Sequence, residues 1–323
     1  MEWIMSPEGT AHTAQTTRWG EKRYYSLDYY LKKTFGEKVY KITLNGGMTC
    51  PNRDGHVGTG GCIFCSAMGS GDFAGNAALS IKEQLEAGKA ELRLKRPVHS
   101  YIAYFQAFTN TYAPVDYLEK IFTEAVCDPE VKVLSIATRP DCLGPDVMDL
   151  LIRLNRIRPV WVELGLQTIH PSTARYIRRG YELDVFDHAV EKLRAAGIQV
   201  IVHVILFLPG ETDEMMIQTI DHLNRSGIQG IKLQLLHVLK GTDLSLEYKR
   251  KPFHTPDMEE YISLTGKCLS CLSPDIVIHR LTGDGPKELL IAPLWTGAKR
   301  TVLNRLNQYL KEHDIWQGKE YYG

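Results

Sequence analysis

Between residues 39 and 239, short apolar runs rich in Val, Ile and Leu alternate with longer stretches in which apolar residues recur every three or four positions. The short runs suit strands covered on both faces and the longer ones suit helices that bury one side, so the alternation predicts βα units and a parallel sheet. Six strands are expected, at 39–44, 101–105, 133–137, 160–166, 200–208 and 231–238. Ser80 followed by Glu83 has capping-box spacing and predicts a helix start. Leu118, Ile121, Phe122 and Ala125 share one helical face, and a later helix runs from about Asp184 to a stop at Gly197. Six such units wrap as an incomplete TIM-type barrel or lie as an open doubly wound sheet, and periodicity does not separate the two. After about residue 245 the pattern changes to a basic segment, a helix near 255–272, a strand at 276–279, a loop at 282–287 and a last helix at 298–313. The expected division is a tail at 1–23, a core barrel at 24–244 and a C-terminal extension at 245–323.

Composition adds constraints. With 44% hydrophobic and 24% charged residues, the 323-residue chain is an ordinary globular one. The longest apolar run, 200–208, contains His203 and falls well short of the roughly 20 residues of a membrane span, so no membrane partner is expected. Residues 1–20 lack the basic start and apolar stretch of a secretory signal, which predicts a cytoplasmic protein. In that compartment the seven cysteines are read as reduced thiols, and clustered ones become candidate metal ligands. A formal charge of zero gives no global signature of nucleic-acid binding, which would then need a local basic patch.

Cys50, Cys62 and Cys65 form C-x11-C-x2-C in a Gly-rich loop, 46–75, that follows the first strand where a barrel carries its active site. Three thiolates on a four-iron cluster leave one iron open for a substrate or cofactor. The alternatives are a structural zinc, with His56 as the nearest fourth ligand, and three unligated cysteines.

The residue before the last of these cysteines is Phe64, giving C-x-Phe-C. The phrases Lys41-Ile-Thr-Leu-Asn-Gly-Gly, Cys50-Pro-Asn-Arg-Asp-Gly, Gly60-Gly-Cys-Ile-Phe-Cys-Ser and Gly69-Ser-Gly-Asp-Phe-Ala-Gly accompany it. On these strings the chain resembles the radical SAM superfamily, and within it the YhcC/YtqA subfamily, relatives of the Elongator catalytic subunit, over about residues 24–295. The resemblance implies the α/β fold of radical SAM enzymes, a partial (β/α)6 TIM-type barrel with N-terminal and C-terminal extensions. It implies one [4Fe–4S] cluster on Cys50, Cys62 and Cys65. The open iron would bind the amino and carboxylate groups of S-adenosyl-L-methionine (SAM), with Phe64 near the adenine, for reductive cleavage to a 5′-deoxyadenosyl radical. The 11-residue spacing departs from the commoner C-x3-C-x2-C but suits this branch.

Further SAM contacts are implied in the same way. Gln167, at the end of the fourth strand, matches the position whose Gln contacts the SAM ribose; its plainer role is to cap that strand end. Arg179 occupies the place at which oxygen-independent coproporphyrinogen oxidase-like members put an Arg on the SAM carboxylate. Otherwise it shares a solvated helix face with Arg175 and Arg178. Pro209 and Gly210 resemble the turn after the fifth strand whose backbone contacts adenine, although Pro-Gly ends many strands. The usual Gly-Gly-Glu stretch is replaced by Tyr104-Phe-Gln106-Ala-Phe-Thr109-Asn110-Thr, leaving open which group holds the methionyl amine. Arg139-Pro-Asp141 resembles an Elongator-like triplet that either orients substrate or forms an ion pair with itself. Cys268 and Cys271 read as buried thiols on a helix, with a second cluster as the sharper alternative.

Basic residues gather at Lys32-Lys33, Arg93 to Arg96, Arg175 to Arg179, Lys249-Arg250-Lys251 and Lys299-Arg300, and aromatics at Tyr101, Tyr104, Phe105 and Tyr112. They would hold phosphates and stack bases, or else be ordinary helix ends and core aromatics. The YhcC/YtqA resemblance, with its MnmL group, implies tRNA as partner, wobble uridine as substrate and a reductant such as flavodoxin or ferredoxin. The reaction would remodel a carboxymethylaminomethyl group at C5 to aminomethyl. A radical SAM enzyme acting on a small metabolite or peptide, and a zinc-binding interaction module, are the other readings.

Overall fold

The computed structural model describes residues 18–69, 71–283 and 285–323. Most of the tail expected at 1–23 therefore lies outside the described residues. Six strands appear where alternation placed them, as β1 Tyr40–Leu44, β2 Tyr101–Phe105, β3 Val131–Thr138, β4 Val160–Gln167, β5 Gln199–Leu206 and β6 Gly230–Leu235. A short β7, Val238–Leu239, pairs antiparallel with β9, Leu290–Ala292. The strand expected at 276–279 in the C-terminal extension completes the main sheet as a seventh: β8, Val277–Arg280, pairs parallel to β6. All neighbours in the order β1-β2-β3-β4-β5-β6-β8 run parallel, and β1 does not pair with β8, so the sheet is an open, partial barrel.

Alternation along each strand sorts residues to two sides. Leu44, Ala103, Phe105, Ile136, Val162 and Val202 join the large core beneath the helices. That layer contains α2 Ile81–Lys95, α3 Val115–Val126, α4 Pro145–Asn155, α5 Pro171–Tyr176, α6 Leu183–Ala195 and α7 Asp213–Ser226. Helix α2 opens on the capping box foreseen at Ser80 and Glu83. Phe122 of α3 meets Phe105 edge-on at 4.9 Å, and both are fully buried. On the inner side, Val39, Ile102, Val133, Trp161 and Ile201 pack with Leu31 of α1, Leu27–Phe35. This apolar plug fills the end of the barrel at which the strands begin, so any chamber must open at the other end, where the cysteine loop leaves β1.

The C-terminal segment is built into the sheet. Helices α8 Asp243–Arg250, α9 Met258–Cys271 and α10 Lys299–Glu312 follow β7. Buried Gln317 donates from Nε2 to the carbonyls of Ser273 and Ile276 at 2.7 and 2.8 Å, fixing the approach to β8. Among the described residues no helix is long and apolar enough to cross a membrane.

Candidate active site

The cysteine loop is held by its own backbone and by its neighbours. The Cys65 N–H donates to the Cys62 carbonyl at 3.0 Å, and the Arg53 guanidinium donates to the carbonyls of Cys65 and Ser66 at 3.2 and 2.5 Å. Ile63 bridges two elements: its N–H donates to the Ile177 carbonyl and its own carbonyl accepts from Leu244 at the start of α8. Gly69 has φ +56, and a Cβ there would stand 2.2 Å from the Phe108 ring, so the loop's close approach to the segment after β2 needs glycine.

Cys50, Cys62, Cys65, Phe64, Gln167 and Arg179 border one cavity of about 260 Å³. Burial and the neighbouring thiols of Cys65 and Cys50 push the Cys62 thiol up to about 12. A bound cation would reverse that penalty, because coordination favours the thiolate. Among the described residues no three His, Cys, Asp or Glu side chains are placed to hold a single metal ion. A cubane sets less stringent terms, since each thiolate binds a different iron. His56, the fourth ligand of the zinc reading, lines a separate pocket with Tyr112 and Cys142.

Gln167 sits at the end of β4 with φ +67, a left-handed conformation uncommon outside glycine, and its buried Oε1 has no hydrogen-bond partner among the described residues. An orphaned acceptor on the wall of a cavity fits a ligand hydroxyl. Arg179 is separated from its neighbours in sequence: Arg175 and Arg178 are exposed, Arg178 pairs with Asp243, and Arg179 is buried. Its guanidinium donates to the carbonyls of Leu166, Thr168 and Tyr181 and lies 4.5 Å from the Tyr181 ring centroid. Much of its donor capacity is thus spent on bracing the end of β4, and the solvated-face alternative does not hold. Pro209 and Gly210 form the turn after β5, beside the β4 end through the Thr168–Glu211 hydrogen bond, but are not among the residues lining the cavity. Arg139 and Asp141 form a bidentate pair at 2.9 and 2.7 Å, the self-paired alternative, while Arg139 also donates to the Arg179 carbonyl.

Deeper in the barrel lies a polar layer of which only Tyr104 is a candidate on sequence; its charged members have no assigned role there. Glu163 of β4, fully buried, accepts from Ser135 Oγ at 2.8 Å, Lys41 Nζ at 3.2 Å, His203 Nε2 at 2.7 Å and Lys232 Nζ. Lys232 also donates to the Tyr104 hydroxyl at 3.2 Å. Burial opposes the Glu163 charge, yet the two ammonium groups hold its carboxyl well below the usual range. Burial pushes His203 down to about 4, leaving it neutral near pH 7. Charged residues inside otherwise apolar strands, all at inward parity, were the available signal.

The remaining candidates scatter. Tyr101 and Phe105 are core residues, out of reach of a stacked base. Cys268 is buried, Cys271 half-buried beside Glu320, Cys127 exposed and Cys142 half-buried next to Asp141.

Comparison with known proteins places this geometry. The model of the radical SAM superfamily matches residues 52–223, and that of the radical SAM C-terminal domain matches 228–312. YtqA of Bacillus subtilis is 46% identical over 93% of each chain, and YhcC of Escherichia coli 37% identical over 88% of this chain and 91% of its own. A tRNA uridine(34) acetyltransferase of Methanocaldococcus jannaschii is 27% identical over 56% of this chain and 33% of its own length. Among solved structures, an N-terminally truncated Elp3 of Methanocaldococcus infernus superposes with a TM-score of 0.66 at 17% identity, over 86% of this chain. The chain covers 64% of that structure, and at 17% identity the likeness is one of fold. On these matches the chain belongs to the radical SAM superfamily, in the YhcC/YtqA subfamily related to Elongator.

Proposed function

We propose that Cys50, Cys62 and Cys65 hold a [4Fe–4S] cluster, that SAM binds beside it, and that the enzyme modifies the C5 side chain of a tRNA wobble uridine, carboxymethylaminomethyl to aminomethyl. The observation that carries the first part is the three thiols bordering the same cavity as the orphaned Gln167 Oε1. When bound, the cluster and SAM, with an electron from flavodoxin or ferredoxin, would supply a 5′-deoxyadenosyl radical that takes a hydrogen atom from the carbon between the amine and the carboxylate. Return of one electron to the oxidised cluster and addition of water would then break the C–N bond, releasing the two-carbon unit as glyoxylate and leaving the aminomethyl group.

The chain's own residues have separate tasks. Gln167 offers its carbonyl oxygen to a ribose hydroxyl, and Phe64 gives an aromatic face to adenine. Arg179 fixes the strand end that carries Gln167 and leaves part of its guanidinium for a carboxylate. Pro209 and Gly210, off the cavity wall, set the turn after β5 beside the end of β4 that carries Gln167. The apolar plug under α1 closes the chamber from below, which keeps water away from reactive species. In this reading residues 24–244 carry the cofactor chemistry and residues 245–323 add the last strand and an outer rim.

The tRNA assignment is supported by likeness to a protein named for uridine-34 of tRNA. Lys249, Arg250 and Lys251 are exposed at the end of α8, whose first turn is tied to the cysteine loop by the Leu244–Ile63 hydrogen bond and to the segment leading into Arg179 by the Arg178–Asp243 pair. Phosphates of a folded RNA need such cations close to the mouth. The test is anaerobic incubation of reconstituted protein with SAM, reductant and tRNA from cells lacking the gene, followed by nucleoside mass spectrometry. Conversion of the wobble nucleoside is expected. SAM cleavage without any change in tRNA nucleosides would retire the tRNA reading, and a colourless protein without cleavage would retire the cluster.

A further inference from the structure

Six strands each send one polar side chain into the barrel interior, where Lys41, Tyr104, Ser135, Glu163, His203 and Lys232 meet. Strand packing alone does not require this. A buried ion pair is commonly no better for stability than well-packed apolar residues, and here two ammonium groups face a single carboxylate. Both also lie against the Tyr104 ring, Lys41 Nζ at 4.1 Å and Lys232 Nζ at 4.6 Å from its centroid. Ser135 brings no charge and His203 is neutral, and the Arg280 guanidinium of β8 acts on both lysines from nearby, so positive charge here exceeds the single Glu163 carboxylate. Buried charges are normally paired.

The second observation is location. Lys232, Glu163, Tyr104 and His203 line the same cavity as Cys50, Cys62, Cys65 and Gln167. The surplus cation therefore belongs to the floor of the chamber in which a substrate would meet the cofactor. We infer that Lys232, backed by Lys41 and oriented by Glu163, forms an anion subsite that receives a carboxylate carried by the substrate. An excess of positive charge carried on side chains alone suits a carboxylate. Phosphate sites commonly add the backbone N–H groups of a helix N-terminus, and none contributes to the layer, which is made of strand side chains alone. Burial, with Lys41 and Arg280 nearby, holds the Lys232 ammonium well below its ordinary range, and a bound carboxylate acts in the opposite direction. The inference deepens the reading above, because a carboxymethylaminomethyl group ends in such a carboxylate and an aminomethyl product does not.

The test uses N-methylglycine, the free counterpart of that side chain, and its methyl ester, both 13C-labelled and titrated by NMR against the full-length protein. Saturable binding of the acid is expected, with the ester at least about tenfold weaker, since it lacks the charge that Lys232 would meet. Lys232→Gln should abolish the preference, and Lys232→Arg should retain it. If Lys232→Gln fails to fold, Lys232→Met takes its place, because an acid preference in the wild type alone could also come from Arg179. Equal binding of acid and ester, no saturable binding of the acid, or an unchanged preference in folded Lys232→Gln overturns the subsite. Displacement of bound N-methylglycine by tRNA bearing the modified uridine supports both readings. Binding of the acid without such displacement keeps the subsite and removes the tRNA assignment.

Discussion

The side-chain amide of Asn52 joins the Cys62 sulfur, 3.6 Å away, to the Arg178 carbonyl, 2.6 Å away. One donor thus ties the middle cysteine of the loop to the segment that leads into Arg179. Hydrogen bonds to cluster sulfurs stabilise the thiolate and tune the potential. Asn52→Ala should therefore reconstitute with less iron and sulfide per chain and shift the cluster's reduction potential, while far-UV circular dichroism stays unchanged. Full iron content at an unaltered potential would show that the contact has no such role.

Cys62→Ala removes one of three thiolates and should abolish both the visible absorption of reconstituted protein and SAM cleavage, whereas Cys268→Ala, deep in the core on α9, should leave both intact. Loss of the visible absorption in Cys268→Ala, measured after the same reconstitution, would point to the second-cluster alternative.

Gly69→Ala places a methyl group against the Phe108 ring at a left-handed backbone position. A local penalty of about 1–3 kcal/mol is expected. Because the strain is confined to the cysteine loop, the expected signature is faster proteolysis there and poorer cluster retention, with the denaturation midpoint of the whole barrel changing little. A variant as resistant to proteolysis as the wild type would mean that the loop absorbs the methyl group by moving.

Glu163 has a depressed folded-state pKa, so its contribution to stability is fully present above its unfolded value of 4.5 and is lost as pH falls through the folded value. Stability measured by urea titration should decline below about pH 4.5. Glu163→Gln leaves the buried Lys232 and half-buried Lys41 ammonium groups without their carboxylate and should cost about 3–5 kcal/mol at pH 7, with a flatter acid limb. An acid limb as steep as the wild type's would assign the pH dependence to other carboxyls.

Replacing Lys249, Arg250 and Lys251 together by Glu should weaken tRNA binding and lower its salt dependence, because each phosphate contact releases counterions. SAM cleavage in the absence of tRNA should be little affected. Unchanged affinity, measured at two salt concentrations, would move the RNA path to another face of the barrel mouth.

By itself the sequence determined what local order determines. The short runs rich in Val, Ile and Leu located six strands, because a strand buried on both faces must be apolar along its length. The Ser80–Glu83 spacing located a helix start, because a capping box closes within four residues. The cysteine loop, with Phe64, carried the family in contiguous strings. Only the tertiary structure decided what depends on separate strands coming together. Val277–Arg280 reads as one more strand of an appended segment until its neighbour is known to be β6. Arg178 and Arg179 are adjacent in sequence, yet one pairs with Asp243 at the surface and the other is buried under the end of β4. Lys41, Glu163, His203 and Lys232 each look like a lone polar residue in an apolar run. Closing the sheet toward a barrel turns their common inward parity into one contact, and a buried charge is tolerable only beside its partner.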